Sequence, residues 1–349
     1  MNPSRPLHSY MGSPVFLDAG AATLRLVNGV FGDPLLEVRV HGMRRRLLFD
    51  LGEASGLSAR ELHGVSDVFI THAHIDHIAG FLSLLRSRIG VPLPPCRIFG
   101  PPGVADHISG FVSGIRWDRI DDEGPIFLVG DIDEDHIAWH RIQPGKPRET
   151  IEPQAISGGR LQDEPGFTVR CIRLDHGIPV LSFAIELSGQ RHIRQNQLDA
   201  LGLEPGPWVG ELLTHLAAGE TDAPVTVAPD RQLAVRELAG HLVHESPGTR
   251  IVYATDFADT PVNRSALAAH AREADWFFCE ATFRREDRRL AATTHHLTTT
   301  ACGEIAVGAR VKHLVPFHFS KRYIRNLAEV YGEIRASCPD TPITMAAER

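Results

Sequence analysis

The stretch from Val65 to Ile89, VSDVFITHAHIDHIAGFLSLLRSRI, holds the pattern from which the rest of the chain can be read. VSDVFI (65–70) is a short apolar run of buried-strand length, and FLSLLRSRI (81–89) carries its apolar residues at helical spacing. Between them His72, His74, Asp76 and His77 form an HxHxDH run, so the local order is strand, ligand-rich loop, helix. Four side chains of metal-binding type this close together would crowd one tetrahedral ion. They can instead feed two adjacent ions, His72 and His74 reaching one, Asp76 and His77 the other.

Two ions need more donors than this run supplies, and the chain offers them at distant strand ends. His176 follows FTVRCIRLD, Asp256 follows RIVYAT and His318 follows HLVPF, each just past an apolar run. His136 and His140, in DEDHIAWH, compete with His176 as donors. Asp50, at the end of RRLLF, is placed to orient a ligand histidine from behind. Further strand-like runs lie in TLRLVNGVFGDPLLEVRV (23–40), CRIFG (96–100), LSFAIEL (181–187) and DWFFCE (275–280). Strands mixed with helices along the whole length predict an α/β architecture in which helices cover the sheets and strand-end side chains meet on one rim.

Composition sets the bounds. With 349 residues, 43% hydrophobic and 23% charged, the chain can bury a substantial core. The opening MNPSRPLHSYMGSPVF has no apolar segment of leader length, and no run approaches a membrane span, so the expected setting is the cytoplasm, with no membrane partner. Five scattered cysteines without CxxC spacing suggest neither a disulfide framework nor a thiolate site. A net charge of −7 lacks the global signature of a nucleic-acid binder, so any such surface has to be local. Residues 121–164 carry an acidic run that includes Asp121 and Asp122, read as surface loops over hairpin strands. Residues 188–248 interrupt the strand series with helical patterns around Gly206-Pro207 and read as an arm inserted into a single domain spanning 1–349.

Order, spacing and flanks resemble the metallo-β-lactamase superfamily, which implies a four-layer αββα sandwich with its site at the sheet edge. The resemblance places His72, His74 and His176 on a first metal and Asp76, His77 and His318 on a second, with Asp256 bridging. It further implies hydrolysis by a bridging hydroxide, with Asp76 orienting the water. Zn²⁺ suits such donors, though Mn²⁺ or Fe would fit them too. Within the superfamily, CEATF (279–283), HHLT (295–298), HLVPFHFSKRY (313–323) and LLFDLGE (47–53) are similar to elements of ribonuclease Z, the endoribonuclease of precursor tRNA 3′ trailers. That likeness makes His296, paired with Glu280, the proton donor to the leaving 3′ oxygen, and makes LGLEPGPWVGELL (201–213) a counterpart of the family's substrate arm with its Gly206-Pro207 turn.

The family's Gly-rich turn with an Arg-Asn pair has no counterpart before LLFD. The arm is also acidic: over residues 188–225 Arg191 and Arg194 face five carboxylates. Phosphate contacts depend on cations, so such an arm suits a homodimer contact as well as a tRNA clamp, with Trp208 and His192 as groups able to stack or hydrogen-bond. The alternatives are a phosphodiesterase or other ester hydrolase of the same fold acting on a smaller phosphodiester, and a non-hydrolytic iron redox or sensor module.

Overall fold

A computed structural model of the chain describes residues 13–120, 123–189, 191–245 and 247–346. The opening segment read as lacking a leader, and the Asp121-Asp122 pair of the acidic run, lie outside the described residues. The chain divides into two compact units, Met1–Leu187 with Thr249–Arg349, and Ser188–Gly248.

The larger unit is built on two sheets. In the first, ten-stranded sheet, Arg46–Phe49, Val65–Phe69, Cys96–Gly100 and Phe127–Ile132 run parallel, with antiparallel strands on both flanks. The second has six strands, of which Thr249–Ala254, Trp276–Glu280 and Leu314–Phe317 run parallel. Side chains alternate across each strand, so neighbours in sequence enter different layers. Leu47 and Phe49 join the core between the sheets, whereas Leu48 joins a second core with Leu84, Leu85 and Ile108 from helices Phe81–Arg88 and Val104–Ser113. Phe69 stacks on Phe99 at 5.0 Å and meets Phe183 of the facing sheet at 5.5 Å. Leu267, Ile305 and Ile334, from helices Pro261–His270, Thr299–Ala309 and Leu327–Ser337, extend the inter-sheet core on the far side. The layers are helix, sheet, sheet, helix, the αββα sandwich expected from sequence.

Two local readings need correction. The 121–164 region holds the expected hairpin, Phe127–Ile132 with His136–Ile142, but within the first sheet and not at the surface, since Phe127, Val129 and Ile137 are fully buried. In the smaller unit, helices Gln195–Ala200, Trp208–Ala218 and Val235–Leu242 surround a core of Leu198, Trp208, Leu212, Val225 and Leu238. Trp208 is therefore no stacking platform. It is buried, its indole N–H donates to the Glu204 carbonyl at 3.0 Å, and a Cβ on Gly206 would sit 3.1 Å from the ring, a tight contact. The side chain of His192 lies outside the described residues.

The parallel strands of both sheets deliver polar residues to one rim. Asp50 follows Phe49, His72 lies just past Phe69, Asp256 just past Ala254, and His318 follows Phe317. The Asp50 and HxHxDH loops are stitched together by Leu51 N–H to the His77 carbonyl at 2.8 Å and Gly80 N–H to the Leu51 carbonyl at 2.9 Å. This crossing requires glycine, since a Cβ on Gly80 would fall 2.0 Å from the Gly52 carbonyl oxygen.

Candidate metal centre

Three of the rim residues, Asp50, Asp256 and His318, have left-handed backbones, with φ of 57°, 52° and 58°. For residues other than glycine this costs on the order of 1–3 kcal/mol each, a strain that gathers where geometry serves a site. At each, the chain turns sharply off a strand and aims its side chain along the rim.

Two four-donor sets result, each with its donor atoms within 4.8 Å of one another: His72, His74, His176 and Asp256, and Asp76, His77, Asp256 and His318. Asp256 is common to both. Its Oδ2 lies 3.8 Å from His72 Nε2, 3.9 Å from His176 Nε2 and 3.2 Å from His77 Nε2, and its Oδ1 lies 3.2 Å from His318 Nδ1. His72 Nε2 and His74 Nδ1 are 2.9 Å apart, and Asp76 Oδ2 is 3.6 Å from His77 Nε2 and 3.5 Å from His318 Nε2. All seven side chains named from sequence thus meet. His136 and His140 do not join them: His136 bonds Asp135 at 2.8 Å and His140 lies 3.7 Å from Asp131.

Partners behind the rings fix their tautomers. His77 Nδ1–H donates to Asp50 Oδ2 at 2.9 Å, and His176 Nδ1–H donates to the His295 carbonyl at 2.9 Å, so each turns Nε2 into the cluster. Asp50 is wholly buried and also accepts from Thr71 N–H at 2.7 Å, Thr71 O–H at 2.9 Å and Tyr253 O–H at 3.0 Å. Neither Thr71 nor Tyr253 was singled out in the sequence; a threonine directly before the first histidine was the available signal for Thr71, and Tyr253 offered none.

The donors fit a cation. With Nδ1–H committed to Asp50, the buried Nε2 of His77 presents a lone pair, makes no hydrogen bond, and stands 3.2 Å from a carboxylate oxygen. Two bases at that distance need positive charge between them. Without an ion a proton takes that place: burial alone would depress His77, yet Asp50 and Asp256 on either side raise it well above the ordinary histidine value. Burial pushes the His72 ring down to about 2, assisted by His77, which keeps that ring an unprotonated donor at neutral pH. Burial favours the neutral acid at Asp256, but His318 and His77 outweigh it and hold the group ionised.

Beside this cluster Glu280, His296 and His318 bring donor atoms within 4.8 Å. Glu280 is fully buried; its Oε2 accepts from His296 Nδ1 at 3.1 Å, Thr282 O–H at 2.7 Å and Leu297 N–H at 3.1 Å, and its Oε1 accepts from Phe257 N–H at 2.9 Å. Burial opposes a charge on His296, but the Glu280 carboxylate raises the imidazole to about 9, so it is protonated at neutral pH. Thr282, unremarked in the sequence, also reaches His318 Nδ1 at 3.3 Å.

Comparison with known proteins accords with this architecture. The family model of the beta-lactamase superfamily domain matches residues 33–203 and 207–319. The chain is 30% identical over 309 residues to ribonuclease Z of Microcystis aeruginosa, covering 85% of this chain and 83% of that protein. It is 28% identical over 282 residues to ribonuclease Z of Deinococcus radiodurans, covering 80% and 83%. Among solved structures, the metallo-beta-lactamase fold protein YhfI of Bacillus subtilis superposes with a TM-score of 0.53 at 13% identity, covering 91% of this chain and 93% of that one, a likeness of fold. Matched along most of its length, and with donor sets suited to divalent metal, the chain belongs to the beta-lactamase superfamily and, within it, to the ribonuclease Z family of metal-dependent hydrolases.

Proposed function

We propose that this chain is a two-metal phosphodiesterase that removes 3′ trailers from precursor tRNA, the substrate implied by its likeness to ribonuclease Z. The observation that carries the reading is the pair of four-donor sets sharing Asp256, with the Glu280–His296 pair beside them. His72, His74, His176 and Asp256 would hold one ion; Asp76, His77, His318 and Asp256 the other. Zn²⁺ suits the nitrogen and oxygen donors, and Mn²⁺ or Fe would be accepted by the same set. When bound, such a pair would lower the pKa of a water at the site and offset charge on the attacked phosphoryl oxygen.

The chain's own residues supply the rest. Asp76, its side chain 36% exposed at the rim, orients the attacking water and takes its proton. His296, kept charged by Glu280, gives a proton to the departing 3′ oxygen. Asp50 and the His295 carbonyl hold His77 and His176 in the tautomers that bind metal. We assign Ser188–Gly248 to substrate holding through the segment around Gly206 and Pro207, with contact in a homodimer as its other use. A cytoplasmic setting suits five cysteines that remain free and buried. Among the described residues no helix is long and apolar enough to cross a membrane.

The test is cleavage of a precursor tRNA carrying a 3′ trailer beside hydrolysis of bis(p-nitrophenyl) phosphate. Cleavage at the trailer junction supports the reading. Hydrolysis of the small ester alone replaces it with a phosphodiesterase of smaller substrates, which the acidic arm favours.

A further inference from the structure

A second surface of the larger unit carries charge of the sign that the arm lacks. A depression of about 530 Å³ is lined by Arg39, Met43, Arg44, Arg46, Arg60 and Gly64. It lies where strands Arg46–Phe49 and Val65–Phe69 begin, and the metal cluster lies where they end. A four-residue strand spans about 13 Å, so an RNA stem lying along this unit crosses the interval within a few base pairs.

The local charge is unbalanced. Arg46 and Arg25 are compensated: Glu37 and Glu61 lie between them, with Arg25 to Glu61 at 3.2 Å, Arg25 to Glu37 at 3.8 Å, Arg46 to Glu61 at 3.8 Å, and Arg46 bonded directly to Glu37. Arg45, between Arg44 and Arg46 in sequence, turns away to Asp67 and Glu164. Arg39, Arg44 and Arg60 are exposed, and among the described residues no carboxylate pairs with any of them; Arg39 donates only to Thr23 Oγ1, at 3.5 Å. Three uncompensated guanidiniums ring one depression on a chain whose net charge is −7.

We infer that this depression docks the phosphate backbone of the RNA substrate. Guanidinium forks match phosphate oxygens, and bases are not needed for such contacts. The three arginines stand on separate elements, strand Leu36–Val40, the turn before Arg46 and helix Ala59–His63, so they offer a spread of charge suited to successive phosphates. The surface adds affinity and register without touching the reacting atoms. This inference rests on the reading of the chain as an RNA-cleaving enzyme.

The test measures equilibrium binding of a stem-loop RNA with a 3′ extension, made uncleavable by a 3′-methylene phosphonate at the junction, which leaves no 3′ oxygen to depart, between 50 and 200 mM salt. The full-length wild type is compared with the triple variant Arg39→Gln/Arg44→Gln/Arg60→Gln and with a charge-matched control, Arg116→Gln/Arg272→Gln/Arg335→Gln. Each lost phosphate contact lowers the slope of log K against log salt by about 0.9. A slope reduced by about two to three, with affinity down at least tenfold at the lowest salt, is expected of the first variant alone. Equal slopes for the two variants overturn the inference. Tripolyphosphate binding that the first variant loses, with RNA affinity unmoved, overturns it in favour of a small-anion site. Cleavage of the unmodified RNA by the wild type is scored separately: RNA bound in the expected way but never cut refutes the nuclease reading and leaves the docking surface standing.

Discussion

Replacing His296 by alanine separates proton donation from every other role the residue can have. The ring is half-buried and makes one bond of consequence, from Nδ1 to Glu280 Oε2 at 3.1 Å. Removing it costs a hydrogen bond to a charged acceptor, about 1.5–3 kcal/mol. Glu280 keeps Thr282 O–H and Leu297 N–H on the same oxygen and Phe257 N–H on the other, so the carboxylate is not stranded and the variant folds. His296 is in neither four-donor set, so metal content is unchanged. The chemical consequence depends on the leaving group. A ribose oxygen departs poorly without a proton, and loss of a general acid slows its release about 10²- to 10⁴-fold, or roughly 3–5 kcal/mol of barrier. A p-nitrophenolate leaves as a stable anion and needs no acid. Single-turnover cleavage of precursor RNA is therefore expected to fall by that factor in His296→Ala, while hydrolysis of bis(p-nitrophenyl) phosphate falls less than tenfold. Equal losses on the two substrates would refute the assignment and make His296 a positioning residue; unchanged RNA cleavage would remove it from the chemistry.

Other consequences are equally specific. Asp50→Ala leaves His77 Nδ1 without its acceptor and is expected to weaken metal binding about 10- to 100-fold, read by competition with a chelator; wild-type affinity would show that the Asp50 contact does not tune the site. Asp67 is fully buried and held by Arg45 at 2.7 Å and Arg97 at 2.6 Å, each about one-third exposed, so Asp67→Asn is expected to cost about 2–4 kcal/mol in urea unfolding, between the values for surface and buried pairs. A loss under 1 kcal/mol would mark the network as energetically idle. His270, away from the rim, is pushed by burial, with Arg250 adding, down to about 3. Its folded value lies below the ordinary 6.5, so the unfolded chain binds the extra proton as pH falls. Stability is thus fully present above about pH 6.5 and declines progressively toward pH 3, and His270→Gln is expected to flatten that slope in chemical denaturation at stepped pH. An unaltered slope would place the acid sensitivity elsewhere.

What the sequence made legible is what chain geometry repeats. Strands are short apolar runs, and a strand's carboxyl end is a fixed address, so His176, Asp256 and His318 were recognisable as rim residues without any knowledge of which strands are neighbours. The supporting shell has no such address. Tyr253 sits inside a strand among apolar residues and reads as core; only the pairing of the two sheets shows its hydroxyl reaching Asp50 across 203 positions of sequence. Thr282 is one of many threonines until Glu280, His296 and His318 close around it. Trp208 misled in the opposite sense, because a large aromatic beside a Gly-Pro turn looks like a binding group, and only the packing of the smaller unit shows that the ring fills its core. The Phe127–Ile142 hairpin was expected from sequence, but its place inside the first sheet was not, because the acidic Asp133, Glu134 and Asp135 of its turn read as surface.

The most direct test counts ions. Elemental analysis of protein refolded with excess Zn²⁺ and then desalted is predicted to give two equivalents per chain, falling toward one in His176→Ala and in His318→Ala, and below one in Asp256→Ala, because that carboxylate alone belongs to both donor sets. One equivalent in the wild type, or two retained after removal of Asp256, would contradict a shared two-ion centre.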